Sequence, residues 1–201
     1  MSLLTIAQGL ARDVGLAVPT QVVGSADRSM SEVLSFANAA GEELARRVDW
    51  GQLKATSTLT GDGTALAHAL PAGFSRIIPG AGVVTSYGTI VRPLTQGEWA
   101  TLTAVQGEPR YFLLDHDTLY FWPHLPNAAT ATVRYQSTLW CSSGADAFTA
   151  DDQTALIDEG LFLKALIVRW RRQKGMDYAD QEAEYEAALQ DFARFNDRSR
   201  I

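Results

Sequence analysis

Three histidines, His68, His116 and His124, fall between residues 51 and 148, and none has another His or Cys at zinc-ligand spacing. The most ligand-like group is Asp115-His116-Asp117, in which two carboxylates flank an imidazole and could offer oxygen and nitrogen donors to a cation. The same triplet joins two β-forming runs, where polar turn residues are expected for conformational reasons alone. Asp158-Glu159 is an acidic pair, but adjacent residues of a helix diverge and cannot share a reaction centre without help from elsewhere. A two-carboxylate glycan hydrolase could draw its acids from distant positions, and nothing in the spacing points to one. Cys141, the single cysteine, lies between Trp140 and Ser142-Ser143-Gly144 with no base in any motif, so a small buried residue is its expected role. Gly61-Asp62-Gly63 lacks the rest of a dinucleotide fingerprint, and no phosphate-cradling loop is present. The sequence therefore indicates no catalytic residue, no metal site and no cofactor.

The row Arg169, Arg171, Arg172 and Lys174 is the one feature that could hold nucleic acid. It also suits the end of a helix, where cations complement the dipole. From Asp151 onward there are 8 basic and 11 acidic residues, so even this zone is not net basic. The whole chain carries a formal charge of -6 and a sequence pI of about 5.0, which argues against a DNA-binding regulator, because phosphate attraction needs a basic surface. The dipole-complementing helix end is the favoured reading, and such a segment suits ion pairing with another protein better than wrapping DNA.

These residues need elements to position them. The 201 residues, 46% hydrophobic and 20% charged, suit one domain or one core with a small insert. With one cysteine there is no intramolecular disulfide, and a reduced compartment fits. The start, Met1-Ser2-Leu3-Leu4, lacks the basic and apolar runs of a signal peptide, and the apolar stretch Leu161–Val168 is interrupted by Lys164 and too short to span a bilayer. The chain reads as soluble, with no membrane partner.

Ala7, Leu10, Ala11 and Val14 fall on one helical face, and Gly15 and Pro19 end that helix. A second helix is expected over residues 29–49, capped by Ser29 with Glu32 completing a capping box. Residues 54–60 alternate as a strand; after the Thr60-Gly61-Asp62-Gly63 turn signal, residues 64–70 are expected to return as its hairpin partner. Further strands are expected at 75–78, 83–87, 89–92 and 130–136, and the clearest hairpin joins 110–114 to 118–122. Thr95, with Glu98 three residues on, caps a short helix over 95–105. Thr149-Ala150-Asp151-Asp152 opens a helix running to Lys174, which Gly175 stops. A last helix spans 178–195 with Tyr178, Tyr185, Leu189 and Phe192 as its stripe, followed by a polar, mobile tail, 196–201. The expected class is α+β: a helical bundle from residues 1–50 and 149–201, with a small antiparallel β module, 51–148, inserted. The five tryptophans, Trp50, Trp99, Trp122, Trp140 and Trp170, should be mostly core, with some free to anchor an interface.

An ordered set of phrases carries a resemblance over nearly the whole chain: Glu42-Glu43-Leu44-Ala45-Arg46-Arg47-Val48-Asp49-Trp50; Ala69-Leu70-Pro71-Ala72-Gly73-Phe74-Ser75-Arg76; Arg92-Pro93-Leu94-Thr95 leading to Glu98-Trp99; Pro109-Arg110-Tyr111-Phe112 before Leu119-Tyr120-Phe121-Trp122-Pro123; Phe148-Thr149-Ala150-Asp151-Asp152; and Trp170-Arg171-Arg172-Gln173-Lys174-Gly175 before Tyr178-Ala179-Asp180 and Glu184-Tyr185. In this order they resemble the head-to-tail adaptor, or head-completion, proteins of tailed bacteriophages, including the tubular adaptors of short-tailed phages. The resemblance implies a structural virion protein, assembled in the host cytoplasm, that self-associates into a ring, typically of twelve copies, beneath the portal. Such a ring extends the channel through which double-stranded DNA passes without sequence-specific binding, and docks the next tail component (nozzle, stopper or tail tube). It further implies that the C-terminal segment, Phe195, Asn196, Asp197, Arg198, Ser199, Arg200 and Ile201, reaches the portal protein. The arginines would meet acidic portal residues, and Phe195 and Ile201 would act as apolar plugs. The other readings are a further ring component of a tail or gene-transfer particle, and a virion-associated glycan hydrolase.

Overall fold

The computed structural model describes residues 2–80, 82–103 and 106–198. They form an α+β chain of two compact units, one made of Met1–Leu53 with Thr138–Ile201, the other of Lys54–Ser137.

In the first unit, α1 (Leu3–Val14) starts at Ser2, whose Oγ accepts the Thr5 N–H, and stops at Gly15, where the backbone turns left-handed at φ 74°. That conformation favours glycine. The second helix, α2 (Arg28–Arg47), is capped by Asp27, whose carboxylate accepts the Ser29 N–H at 2.8 Å. The expected Ser29–Glu32 capping box does not form, because Asp27 takes the capping position and Glu32 is held by Arg28 and Lys174. After a 3-10 turn (Gly51–Leu53), the chain leaves the unit and re-enters it at Thr138.

The helix expected from residue 151 begins only at Glu159. Asp151 and Gln153 are the reason. The Asp151 carboxylate accepts the backbone N–H groups of Val22 and Val23 at 3.0 and 2.8 Å, and the Gln153 side chain accepts those of Thr149 and Ala150. This segment is bridged to the chain start, Ser2 to Thr154, and to Cys141 through Ala155. Capping passes instead to Asp158, which accepts the Leu161 N–H at 2.9 Å and opens the helix Glu159–Gln173. With the short helix Gln96–Ala100 of the second unit taken as α3, these two are α4 (Glu159–Gln173) and α5 (Ala179–Arg198). The fifth helix runs to Arg198, three residues beyond the expected end at Phe195.

Helix α4 is central and packs against α1, α2 and α5. Leu3, Ile6 and Leu10 of α1, Val33, Ala37 and Leu44 of α2, Phe162, Leu166 and Trp170 of α4, and Tyr185 and Leu189 of α5 share one buried cluster. Each large side chain there contributes about 1.5–3 kcal/mol by leaving water. Trp140 and Phe148, from the segment between Thr138 and Asp158, complete it: their rings meet edge to face at 4.8 Å, and both touch Phe162.

The second unit holds two four-stranded sheets. In one, β8 (Thr130–Ser137) pairs antiparallel with β1 (Lys54–Thr60) on one side and with β3 (Phe74–Ile77) and β4 (Val83–Thr85) on the other. In the other, the order is β2 (Ala67–Ala69), β7 (Thr118–Trp122), β6 (Tyr111–Asp115) and β5 (Arg92–Pro93). The β5–β6 pair is parallel, so the expected antiparallel module is mixed. The expected hairpin between 54–60 and 64–70 is absent. The Asp62 carboxylate accepts the N–H groups of Thr64 and Ala65 and turns the chain away, so that β2 pairs with β7 while β1 pairs with β8. The β6–β7 hairpin forms across His116-Asp117, and the Thr95–Glu98 capping box forms at α3. Phe112, Leu119, Phe121, Leu125, Ala131 and Val133 are the core of this unit. No described helix is long and apolar enough to cross a membrane.

Candidate functional site

The basic row is placed by the helical period of α4 and fixed by acids from three other elements of the same unit. Arg169 pairs with Glu43 of α2, and Arg172 with Glu182 of α5. Arg171 reaches Asp13 of α1 at 3.0 Å and the Asp177 carbonyl at 3.3 Å. Lys174 pairs with Glu32 of α2 and lies over the Trp170 ring at 4.7 Å. Ion pairing of this row is thus internal, and each cation neutralises a carboxylate of its own unit rather than standing ready for phosphate or another protein.

The same chemistry holds α5. Arg47 makes a two-pronged contact with Glu186, at 2.6 and 2.7 Å, and reaches Glu43 at 3.3 Å. The hydrogen bond from Arg47 holds the Glu186 carboxyl below the usual range, and in return the Glu186 carboxylate makes the guanidinium harder to deprotonate. Lys164 does the same to Glu184 at 2.8 Å. The Tyr185 hydroxyl donates to Glu43 at 3.3 Å; burial, reinforced by the Glu43 charge, pushes the phenol up to about 12. Between α2, α4 and α5, Glu43, Arg169, Arg172, Tyr185 and Glu186 line a groove of about 270 Å³ with Phe36 and Val168 at its apolar part. Further along α5, the Phe192 ring packs on Trp50 at 5.6 Å, and the helical backbone continues to Arg198. Of the expected portal-binding residues, Phe195, Asn196, Asp197 and Arg198 belong to α5 by backbone, with side chains outside the described residues. Ser199, Arg200 and Ile201 lie outside them altogether.

The groups that could have done chemistry are dispersed. His68 lies in β2 with its ring edge against Phe121 at 5.4 Å, and desolvation by burial lowers its pKa. His116 sits on the exposed β6–β7 turn, its Nδ1 2.8 Å from Asp115 Oδ1. His124 follows β7. Asp158 is a helix cap, and Cys141 is fully buried, with the Ser143 hydroxyl donating to its sulfur at 3.3 Å. Among the described residues no three His, Cys, Asp or Glu side chains converge as metal ligands would. Of the tryptophans, Trp50, Trp140 and Trp170 are core; Trp99 and Trp122 are half-buried and meet edge to face at 6.0 Å, with Tyr120 beside them. This aromatic cluster had no signal in the sequence beyond composition, because its members come from α3 and β7.

No curated protein matches the sequence. The family model described as SU10 adaptor protein matches residues 1–201. A match over the full length shows that the chain belongs to this family of structural phage proteins, the head-to-tail adaptors.

Proposed function

We propose that the chain is one of twelve copies forming a ring beneath the portal, which extends the DNA channel and docks the next tail component in the virion. The match of the whole chain to a head-to-tail adaptor family carries this reading. The division of labour follows the two units: the helical unit attaches to the portal through Phe195–Ile201, and the β-rich unit, with its Trp99–Trp122–Tyr120 cluster, contributes to contacts between ring components. Helix α5 is consistent with the first part: Phe192 packs on Trp50, and the helical backbone continues to Arg198. The net charge of -6 and the internal pairing of the basic row favour a channel through which DNA slides rather than one that retains it.

Light scattering of the subunit mixed with its portal ring tests this. Uptake of the chain as a twelvefold multiple, abolished by deleting residues 196–201, is the expected result. A subunit that joins no portal at any salt concentration, or that clears peptidoglycan until one carboxylate is neutralised, would overturn it.

A further inference from the structure

The strand β1 is an edge with seven consecutive residues paired to β8 on one side only, without a register break. Natural edges are usually blunted by proline, bulges or central charges. Lys54-Ala55-Thr56-Ser57-Thr58-Leu59-Thr60 has none of these except the terminal Lys54, and Lys54, Thr56, Thr58 and Thr60 are exposed.

The phase of the ladder shows which backbone groups are open. On the far side of β8, Arg134 accepts from Ile78 and donates to Gly82, and Thr130 accepts from Ser86. Even-numbered residues of β8 therefore bond toward β3 and β4, and odd-numbered ones toward β1. Given the register Lys54↔Gln136 to Thr60↔Thr130, Ala55, Ser57 and Leu59 bond to β8. The N–H and C=O groups of Lys54, Thr56, Thr58 and Thr60 point outward. Water solvates such a row in the free subunit, and another extended strand is the protein element whose spacing matches it.

We infer that this edge is a strand-addition surface through which two copies of the chain pair antiparallel about a two-fold axis at Ser57. The sequence of β1 is complementary to itself in that register. Thr56 faces Thr58 and Lys54 faces Thr60, so outward-bonding residues meet outward-bonding residues, as a narrow antiparallel pair requires. Ala55 faces Leu59, small against large. No like charges oppose each other, and Lys54 lies diagonal to Asp62 of the second copy, within reach of a long side chain. Asp62 is held ionised there by the backbone N–H groups of Ala65 and Thr64, which lower its pKa. Such an isologous contact is distinct from a head-to-tail ring contact. It concerns the free protein, and it stands or falls independently of portal attachment.

The test uses the full chain alone. In a two-fold pair the two Ser57 Cα atoms lie about 4.5 Å apart, within the range of about 4.4–6.8 Å that a disulfide spans. Ser57→Cys should cross-link rapidly to a dimer under mild oxidation, whereas Thr58→Cys, offset along the strand, should not; the native Cys141 is buried and does not interfere. Light scattering between about 1 µM and 1 mM should show mass rising toward twice 21.9 kDa. Thr58→Pro removes an outward N–H without breaking the β8 ladder and should give a folded monomer. Thr56→Lys with Thr58→Lys, which places like charges opposite each other, should do the same if the proline variant fails to fold. A monomer at every concentration, a dimer that survives these substitutions, or equal cross-linking of the two cysteine variants would overturn the inference.

Discussion

Replacing Gly41 by alanine reverses the usual sign of a helix substitution. Gly41 lies inside α2, where alanine is ordinarily more stable by about 1 kcal/mol because glycine loses more backbone freedom on folding. Here the indole of Trp140 lies on the helix at that point. A Cβ built on Gly41 would sit 2.3 Å from Cζ2, 2.4 Å from Cε2 and 2.6 Å from Cη2. To reach ordinary contact the ring would have to retreat by about 1 Å, and a packed interior resists such shifts. Phe148 lies edge-on at 4.8 Å and Phe162 at 5.6 Å, so the ring is held from other sides and is fully buried. Overpacking of this kind costs about 1–3 kcal/mol and exceeds the propensity gain, so Gly41→Ala should be net destabilising. Each kcal/mol lost should lower Tm by about 2–4 °C in a chain of this size. Urea unfolding followed by circular dichroism measures the loss as a lower midpoint at unchanged slope. Trp140→Phe alone should also destabilise, by leaving a cavity. Combined with Gly41→Ala it should cost less than the sum, with a coupling of about 1 kcal/mol or more. A Gly41→Ala variant that melts higher than the parent, or a double variant whose effects simply add, would refute the close approach of ring and helix.

Acid should loosen α5. Glu186 and Glu184 have folded pKa values below their unfolded ones, so between the two values the unfolded chain binds more protons. Their stabilisation is therefore present above the unfolded value of about 4.5 and is lost as pH falls through the folded values. Glu186→Gln should flatten the dependence of Tm on pH in that window, and a slope equal to that of the parent would count against the Arg47–Glu186 tether. His68 behaves likewise at higher pH: burial lowers its folded pKa, so its contribution is present above about 6.5 and declines as pH falls below it. Proton NMR should show the His68 ring titrating below the ordinary imidazole value of about 6.5, and titration at or above that value would contradict the burial of its ring against Phe121.

What the sequence made legible was local. Gly15 and Gly175, both with positive φ, stand at helix ends. Thr95 with Glu98 forms its box, and the alternation on either side of Asp115-His116-Asp117 gives the hairpin. What it concealed was the use of local signals by distant partners. Asp151 has the position and chemistry of an acid in a helix's first turn, but its oxygens serve Val22 and Val23, more than a hundred residues away in sequence. Strand β1 has a turn signal after it, yet its partner is β8, because Asp62 closes a tight turn of its own before the chain can fold back. Gly41 looks like a weakness in a helix until Trp140 is placed on it. The charged row was legible as a helix end, but its carboxylate partners come from α1, α2 and α5, and no spacing in the sequence brings those together.

That internal pairing bears on the proposed role as a channel subunit, for an acidic chain with a cationic helix end. A free row of four cations would add to phosphate binding and make it steeply dependent on salt. Here Glu43, Glu182, Asp13 and Glu32 occupy the row, so that an approaching phosphate must displace a carboxylate that is already in place. One of these pairs, Arg172–Glu182, also ties α5 to α4, so that carboxylate both quiets the row and helps to hold the last helix. Neutralising Glu182 together with the other three acids would therefore do two things at once: expose the cations and loosen α5. Any gain of DNA retention in such variants should appear together with loss of α5 protection from hydrogen exchange, since the two effects share the same contacts.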